Sequence, residues 1–406
     1  MPARSRYVAL ATAPGVLRVG LPSILARLPL GMTTLAILLA VQQATGSFGA
    51  AGTVTGCFAL ATGVASPVRG RLVDRVGATP VLLTGGLLQP LALVALAVTV
   101  QRHAPVAAMG GAAAIAGVLL PPAGPVTRTI WQRILTRADL EQAAFSLDAV
   151  ILQVLNYAAG PPLVSALVMV GSPVLALWVI AGLTVVGAIG VALAPSARHW
   201  PAAGQRAPLL GPLVVPAVWS VLLLSLLSSA AIAALEVGMT AFASAAGARN
   251  LSGLLLALLG IGSIAGGVWQ GSRTWTAPLP RQYSRWLAVL AVGFAPLLLA
   301  PNPAVLGGLA VVAGLAIAPT STLQFTIIGR LAPEQTVTEA FTWLFSVTLG
   351  GAALGSAAGG AIAQADGPRM ALLLAVLLAG LAALISLGRM GRRGRPSRVR
   401  RYPAEA

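Results

Sequence analysis

The sequence predicts an all-α membrane protein whose twelve transmembrane helices form two repeated sets of six. Three observations carry this: the composition, the spacing of the apolar runs, and echoes between the halves. Only 9% of the 406 residues are charged while 57% are hydrophobic, and the mean hydropathy is +0.89. A soluble domain carries about 25% charged residues, so this much apolar surface requires a bilayer as its solvent. Apolar runs of roughly 20 residues, the length that crosses a bilayer as a helix, recur along the whole chain.

In order, the first six spans are expected at 17–42, 50–68, 79–100, 105–127, 143–169 and 173–194. The first follows Arg18, and the second stops before a basic loop that begins at Arg69. The third ends before Arg102 and His103, the fourth at Arg128. Asp139 and Gln142 open the fifth at capping-box spacing, Gly171 separates it from the sixth, and Pro195 ends the sixth. The last six are expected at 216–243, 251–270, 284–300, 304–328, 338–363 and 370–388. Arg249, Arg273, Arg281 with Arg285, Arg330, the capping-box pair Thr336 and Glu339, and the turn Asp366-Gly367 bound them in turn. The resulting domains are 1–194, a linker 195–212, a second half 213–388 and a basic tail 389–406.

The net charge of +17 does not indicate nucleic acid, because the charges sit between apolar runs rather than on one wet face. All 26 basic residues are Arg, and their placement predicts sidedness. With both ends inside, 22 fall in inner segments, only Arg102, Arg249 and Arg369 fall outside, and Arg27 lies within a span. Cytoplasmic loops hold the basic excess, so both termini are expected in the cytoplasm, with the tail against anionic headgroups. Met1 to Arg18 precedes a run too long for a signal peptide and reads as the lead into an uncleaved first span. The single Cys57 excludes an internal disulfide, and His103 and His199 lie in separate polar breaks, so no metal site and no cofactor are expected.

Ala144-Phe145 and Gly171 are echoed by Ala340-Phe341 and Gly367 at one constant offset, and Leu30-Gly31-Met32-Thr33 by Val237-Gly238-Met239-Thr240. These are the marks of parallel repeats.

Between spans two and three stands Gly70-Arg71-Leu72-Val73-Asp74-Arg75-Val76-Gly77. This segment resembles the loop signature of the major facilitator superfamily, although Ala78-Thr79-Pro80 stands where basic residues follow in that family. The glycines suit a tight turn and close helix approach. Asp74 suits the positive start of a helix, expected to be span eleven, with Arg128 as a further partner. Gly160-Pro161-Pro162 in span five is similar to the Gly-Pro element of proton-coupled exporters in the superfamily, and as a kink it would shape the seam between halves. A plain structural bend is the alternative, as for Pro121-Pro122 and Pro125 in span four.

Among the nine acids, Asp139, Glu141, Glu334 and Glu339 mark helix starts, Asp74 the signature loop, Asp366 a turn and Glu405 the tail. Asp148 lies within reach of Arg128 or Arg133. Glu236 alone stands deep in a span without a polar neighbour. Such a charge is expensive, so it should face a cavity or a partner. The repeat register sets Arg27 nearly level with it. Either the two form a structural ion pair, or they line the cavity that the resemblance assigns to spans one and seven and handle protons or substrate. Gln153, Asn156, Gln324 and Trp343 are further cavity candidates, with interhelical hydrogen bonding as the alternative role. Trp131, Trp200 and Trp219 read as interface anchors.

The resemblance extends to the drug and sugar efflux branch, in compact length, short linker and Gly-Pro element. It implies a monomeric transporter in the bacterial inner membrane that moves a small organic substrate outward against protons, with lipids as its surroundings. An importer or uniporter on the same scaffold, and a transport-inactive sensor or assembly factor, are the alternatives. An enzyme would need a nucleophile, metal cluster or acid pair near one membrane face, and a nucleotide site a Gly-rich loop with Lys. The sequence offers neither.

Overall fold

The computed structural model describes residues 3–135, 137–198, 211–248, 251–273 and 275–392. Most of the expected linker, with Arg206, and the tail beyond 392 lie outside the described residues.

Twelve helices are long and apolar enough to cross a bilayer. Spans one to six run Val16–Thr45, Gly49–Val76, Ala78–Gln101, Val106–Ile134, Ala138–Val170 and Pro173–Ala192. Spans seven to twelve run Pro216–Ala245, Ser252–Ser272, Leu279–Leu299, Pro303–Leu331, Glu334–Asp366 and Pro368–Gly388. Helices satisfy their backbone groups internally, which is what hydrocarbon demands. Their outer faces are correspondingly apolar: Val64 and Met169 are 79% and 86% exposed. A short helix, Ala3–Thr12, precedes span one and touches spans five and eight.

Four spans are irregular: four, five and ten as follows, and nine, which tightens into a 3₁₀ turn at Ala295–Leu299 around Pro296. Span four breaks between Val118 and Ala123, where Pro121 and Pro122 remove two amide donors. Span five widens into a π turn at Val154–Ala159, directly before Gly160-Pro161-Pro162. Pro161 lacks the amide that would continue the regular pattern, and the extra residue absorbs the mismatch. Span ten is interrupted between Gly314 and Ile317.

The packing repeats. Pairs one–six, two–four, three–six and one–five of the first half recur as seven–twelve, eight–ten, nine–twelve and seven–eleven in the second. Within a half, glycines bring backbones together. Gly351, Gly355 and Gly359 of span eleven face Leu226, Ala230 and Ala234 of span seven, and a methyl added at Gly355 would overlap the Ala230 carbonyl. Gly262 and Gly266 of span eight stand likewise against the Val311 and Leu315 carbonyls of span ten. Gly160 packs on the Gly31 carbonyl of span one, so the Gly-Pro element shapes a contact inside the first half, while the π turn before it reaches the seam.

Between halves the contacts gather at one end. Span two packs on span eleven, span five on spans eight and ten, and span four on span eleven. That end carries the starts of spans one, five, seven and eleven, and is called here the terminal end. Ala143, Ala144 and Phe145 from the first half belong there to the same apolar core as Phe325, Ala340 and Phe341 of the second.

Candidate functional site

The terminal end is closed by polar bonds laid over aromatic packing. Span eleven starts with backbone N–H groups that have no acceptor within the helix. Its own Thr336 does not cap it, because the hydroxyl turns back and donates to the Pro333 carbonyl at 3.2 Å. Asp74 of the opposite half supplies the cap instead. Its two carboxylate oxygens accept from the amides of Thr338 at 3.2 Å and Glu339 at 2.8 Å. The nearby basic charge is Arg133, not Arg128. Gly77, at φ 97°, turns the chain into span three, and Gly70 lets the end of span two lie on Glu339 and Thr342. Arg75 is exposed.

Glu339 does not complete a capping box either. It accepts from Arg71 Nε at 3.1 Å and Nη2 at 2.6 Å, and from Trp343 Nε1 at 3.4 Å. Trp343 is thus part of the closure in this structure. A second tie joins Glu141 of span five to Arg330 of span ten at 3.1 Å, with Gln132 donating to the same carboxylate at 3.2 Å. Asp139 pairs with Arg137 rather than capping span five. Ser146 donates to the Gly267 carbonyl and Tyr7 to that of Val268 at 3.2 Å. Phe145 meets Phe325 and Phe341 edge-on, at centroid distances of 6.4 and 6.0 Å.

Asp74 bonds to the start of span eleven across the closed end, so opening that end would have to break these bonds. Hydrogen bonds to a charged group contribute about 1.5–3 kcal/mol, and about 1.4 kcal/mol is a factor of ten in an equilibrium. Asp74→Asn is therefore expected to shift the balance roughly tenfold away from the closed end and to slow transport, with membrane levels near those of the parent. A transport time course normalised to immunoblot checks it. A variant that keeps the parental rate would reduce the segment to a turn.

One layer deeper lies a charge cluster. Arg27 of span one donates through Nη1 to Asp148 and through Nε to the Ser23 carbonyl at 3.2 Å. Arg128 of span four donates to the other Asp148 oxygen at 2.7 Å, and its guanidinium lies 3.8 Å from the centre of the Phe325 ring of span ten. All three charged groups are buried, Asp148 completely.

The expected pairing of Arg27 with Glu236 is therefore not formed. Spans one and seven begin at 16 and 216 and end at 45 and 245, an offset of 200, whereas the echo of Leu30–Thr33 in Val237–Thr240 implies 207. Seven residues are two helical turns, about 10 Å along the axis. Glu236 lies that much further from the terminal end than the echo implies, too far from Arg27 to pair.

Glu236 meets a residue that sequence reasoning missed. Tyr157, on the π turn of span five, donates its hydroxyl to Glu236 Oε1 across the two halves. Its side chain lies beside Gly260 of span eight, where a methyl added to the glycine would just touch its Cβ and ring. Tyr157 is one of four tyrosines and stands one turn from Gln153 and three residues before Gly160, a signal that the Gly-Pro element could have drawn attention to. A cavity of about 610 Å³ opens beside Glu236 toward the far end, lined also by Thr240, Ser244, Leu256 and Gln364. Asn156 is exposed on the widened turn, and Gln153 is half-buried just before it. Gln324 is no cavity residue: it is buried and donates to Ser228 at 3.1 Å and Tyr283 at 3.2 Å. Among the described residues no three of His, Cys, Asp or Glu come together as a metal site would require.

A fold of two repeated six-helix halves, meeting over a signature loop, now stands beside the comparisons. The Major Facilitator Superfamily model matches residues 23–286. The chain belongs to the Major Facilitator Superfamily. No curated protein matches it in sequence. Among solved structures, this superfamily member is similar to a bacterial homologue of the iron transporter ferroportin in an outward-facing state. The TM-score is 0.75 at 16% identity, over 93% of this chain and 99% of that one. It is also similar to the human organic anion transporter MFSD10, with TM-score 0.74 and 16% identity over 92% and 99% of the two chains. At such identities the likeness establishes the shared fold.

Proposed function

We propose that this superfamily transporter exports a small organic compound across a bacterial cell membrane in exchange for protons, as a monomer of two halves, 1–194 and 213–388, joined by a cytoplasmic linker. The observation that carries the reading is the Tyr157–Glu236 hydrogen bond. It sets a carboxylate that no arginine among the described residues holds between the two halves, at the edge of an open cavity. Such a group can trade its proton as the halves part, whereas Asp74, Glu141, Asp148 and Glu339 are each engaged by cations or helix amides. The cavity volume falls within the range of about 300–1,000 Å³ typical of small-molecule sites. One carboxylate, hydroxyls, an amide and aliphatic walls suit an organic molecule better than a metal ion. With both termini in the cytoplasm, the side favoured by the arginines, the closed end is cytoplasmic and the cavity faces outward.

A resistance screen, with and without the gene, supplies the substrate, and inside-out vesicles with an acid interior then test the reading. Substrate should accumulate inside in proportion to the gradient. Accumulation confined to right-side-out vesicles would make the protein an importer, and equilibration without accumulation a uniporter. Reporter fusions after Arg18 and Arg389 should both report the cytoplasm.

A further inference from the structure

The turn between spans eight and nine, at the terminal end, holds an aromatic cluster apart from the Glu236 cavity. Trp269 lies in the last turn of span eight, Trp275 in the connection and Trp286 in the second turn of span nine. Their ring centroids are 5.2, 5.5 and 6.3 Å apart, all edge to face. Gln270 ties them: Trp286 Nε1 donates to its side-chain oxygen and Trp275 Nε1 to its backbone oxygen, both at 3.0 Å. Because Trp286 fixes the amide oxygen, the amide nitrogen is fixed as well, buried and without an acceptor among the described residues. Three arginines stand in or beside the same connection, Arg273 at the end of span eight and Arg281 and Arg285 in the first two turns of span nine. The Arg273 guanidinium stacks over Trp269 at 5.1 Å. Arg281 and Arg285 stand one turn apart on the same face of span nine. All three are exposed, and none makes an ion pair among the described residues.

Sidedness alone asks for arginines on this side, but not for arginines set on a rigid tryptophan platform with a spare buried donor. Tryptophan favours the headgroup level of a bilayer, and the guanidinium fork matches phosphate oxygens in bidentate fashion. Unpaired basic clusters between helices recruit anionic headgroups. We infer that Trp269, Trp275 and Trp286 with Arg273, Arg281 and Arg285 form a binding site for the phosphate headgroup of an anionic phospholipid. The arginines hold the phosphate, and the exposed edge of Trp269 meets the glycerol and upper acyl region. A zwitterionic lipid brings its own ammonium to the phosphate and competes poorly, and free phosphate lacks the chains that would lie on the rings.

The test uses the purified full chain in detergent, titrated with phosphatidylglycerol, phosphatidylcholine or inorganic phosphate and followed by native mass spectrometry and thermal unfolding. Phosphatidylglycerol should remain bound and raise the unfolding midpoint, and the other two should not. Arg273→Gln/Arg281→Gln/Arg285→Gln should bind it about tenfold or more weakly while unfolding in lipid-free detergent like the parent. Trp269→Leu, which keeps every charge, should also weaken binding. Retention of phosphatidylglycerol by the triple variant would overturn the site, as would equal stabilisation by phosphatidylcholine. An equal effect of inorganic phosphate would assign the cluster to a free anion, and parental binding by Trp269→Leu would remove the platform from it.

Discussion

Glu236→Gln is expected to abolish gradient-driven accumulation of substrate while sparing exchange of substrate for substrate. The amide has nearly the shape of the acid and keeps an oxygen to accept from Tyr157, so the contact across the halves survives. It cannot bind and release a proton, so under the proposed proton exchange the movement of the two halves would no longer be tied to the gradient. Asp148 is not a substitute, because an arginine sits on each of its oxygens, and protonation would displace one of them and remove the charge that holds both. The measurement compares parent and variant in inside-out vesicles with an imposed pH gradient, and separately in counterflow without one. If the variant still concentrates substrate in proportion to the gradient, Glu236 is only a structural acceptor and coupling lies elsewhere. Tyr157→Phe completes the comparison: it keeps the ring beside Gly260 and leaves the carboxylate free to titrate, so it should retain accumulation at an altered rate.

Asp148→Asn is expected to cost most of the folded protein. The carboxylate is wholly buried and neutralises one of the two guanidinium groups beside it. An amide in its place leaves two like charges facing each other in low dielectric. Removing one member of a buried ion pair costs about 3–5 kcal/mol, against total stabilities of about 5–15 kcal/mol for a domain. Arg27→Gln should be much milder, since Arg128 and Asp148 then form a balanced pair that still lies on Phe325. Fluorescence-detected size exclusion and the unfolding midpoint of the two variants give the ranking. An Asp148→Asn protein as stable as Arg27→Gln would mean that the arginines are solvated and the cluster is not closed to water.

The number and order of the spans were legible because hydrocarbon punishes polar backbone, but not every end was. Span two runs on past 68 to Val76 and span four past 127 to Ile134, because arginines at the membrane edge, Arg69 and Arg128 among them, stay helical and bond inside the protein. The significance of Asp74 was legible too, since the signature loop places an acid where a helix must start on the far side of the seam. The pairing of charges was not. Arg27 and Glu236 looked level because Gly-Met-Thr recurs in spans one and seven, yet in a chain so rich in Ala, Gly and Leu a three-residue echo slips easily by two turns. Only the packing of span five on span one and of span eleven on span seven sets the true register. Glu339 and Glu141 looked like local caps for a similar reason: a cap and an inter-half ion pair use the same residue at the same place, and only the opposing helix distinguishes them. Tyr157 was hidden because nothing in an apolar run tells which residue a π turn will rotate toward the seam.

The glycines of span eleven have a mechanical consequence. Where Gly351, Gly355 and Gly359 seat their helix on the backbone of span seven, the contact contains no long side chain that could change rotamer and take up strain. Such a joint is stiff, and the eight–ten contact through Gly262 and Gly266 is built the same way. The seam between halves is built from guanidinium forks, carboxylates and aromatic edges, which can separate one after another without disturbing any helix. Compliance is thus concentrated at the seam, and each half moves as a lever rather than a spring. Glu236 is carried by that lever, so its distance from Tyr157 reports the angle between the halves, and a carboxylate on span seven can sense the conformation of the whole protein without any bending of its own helix.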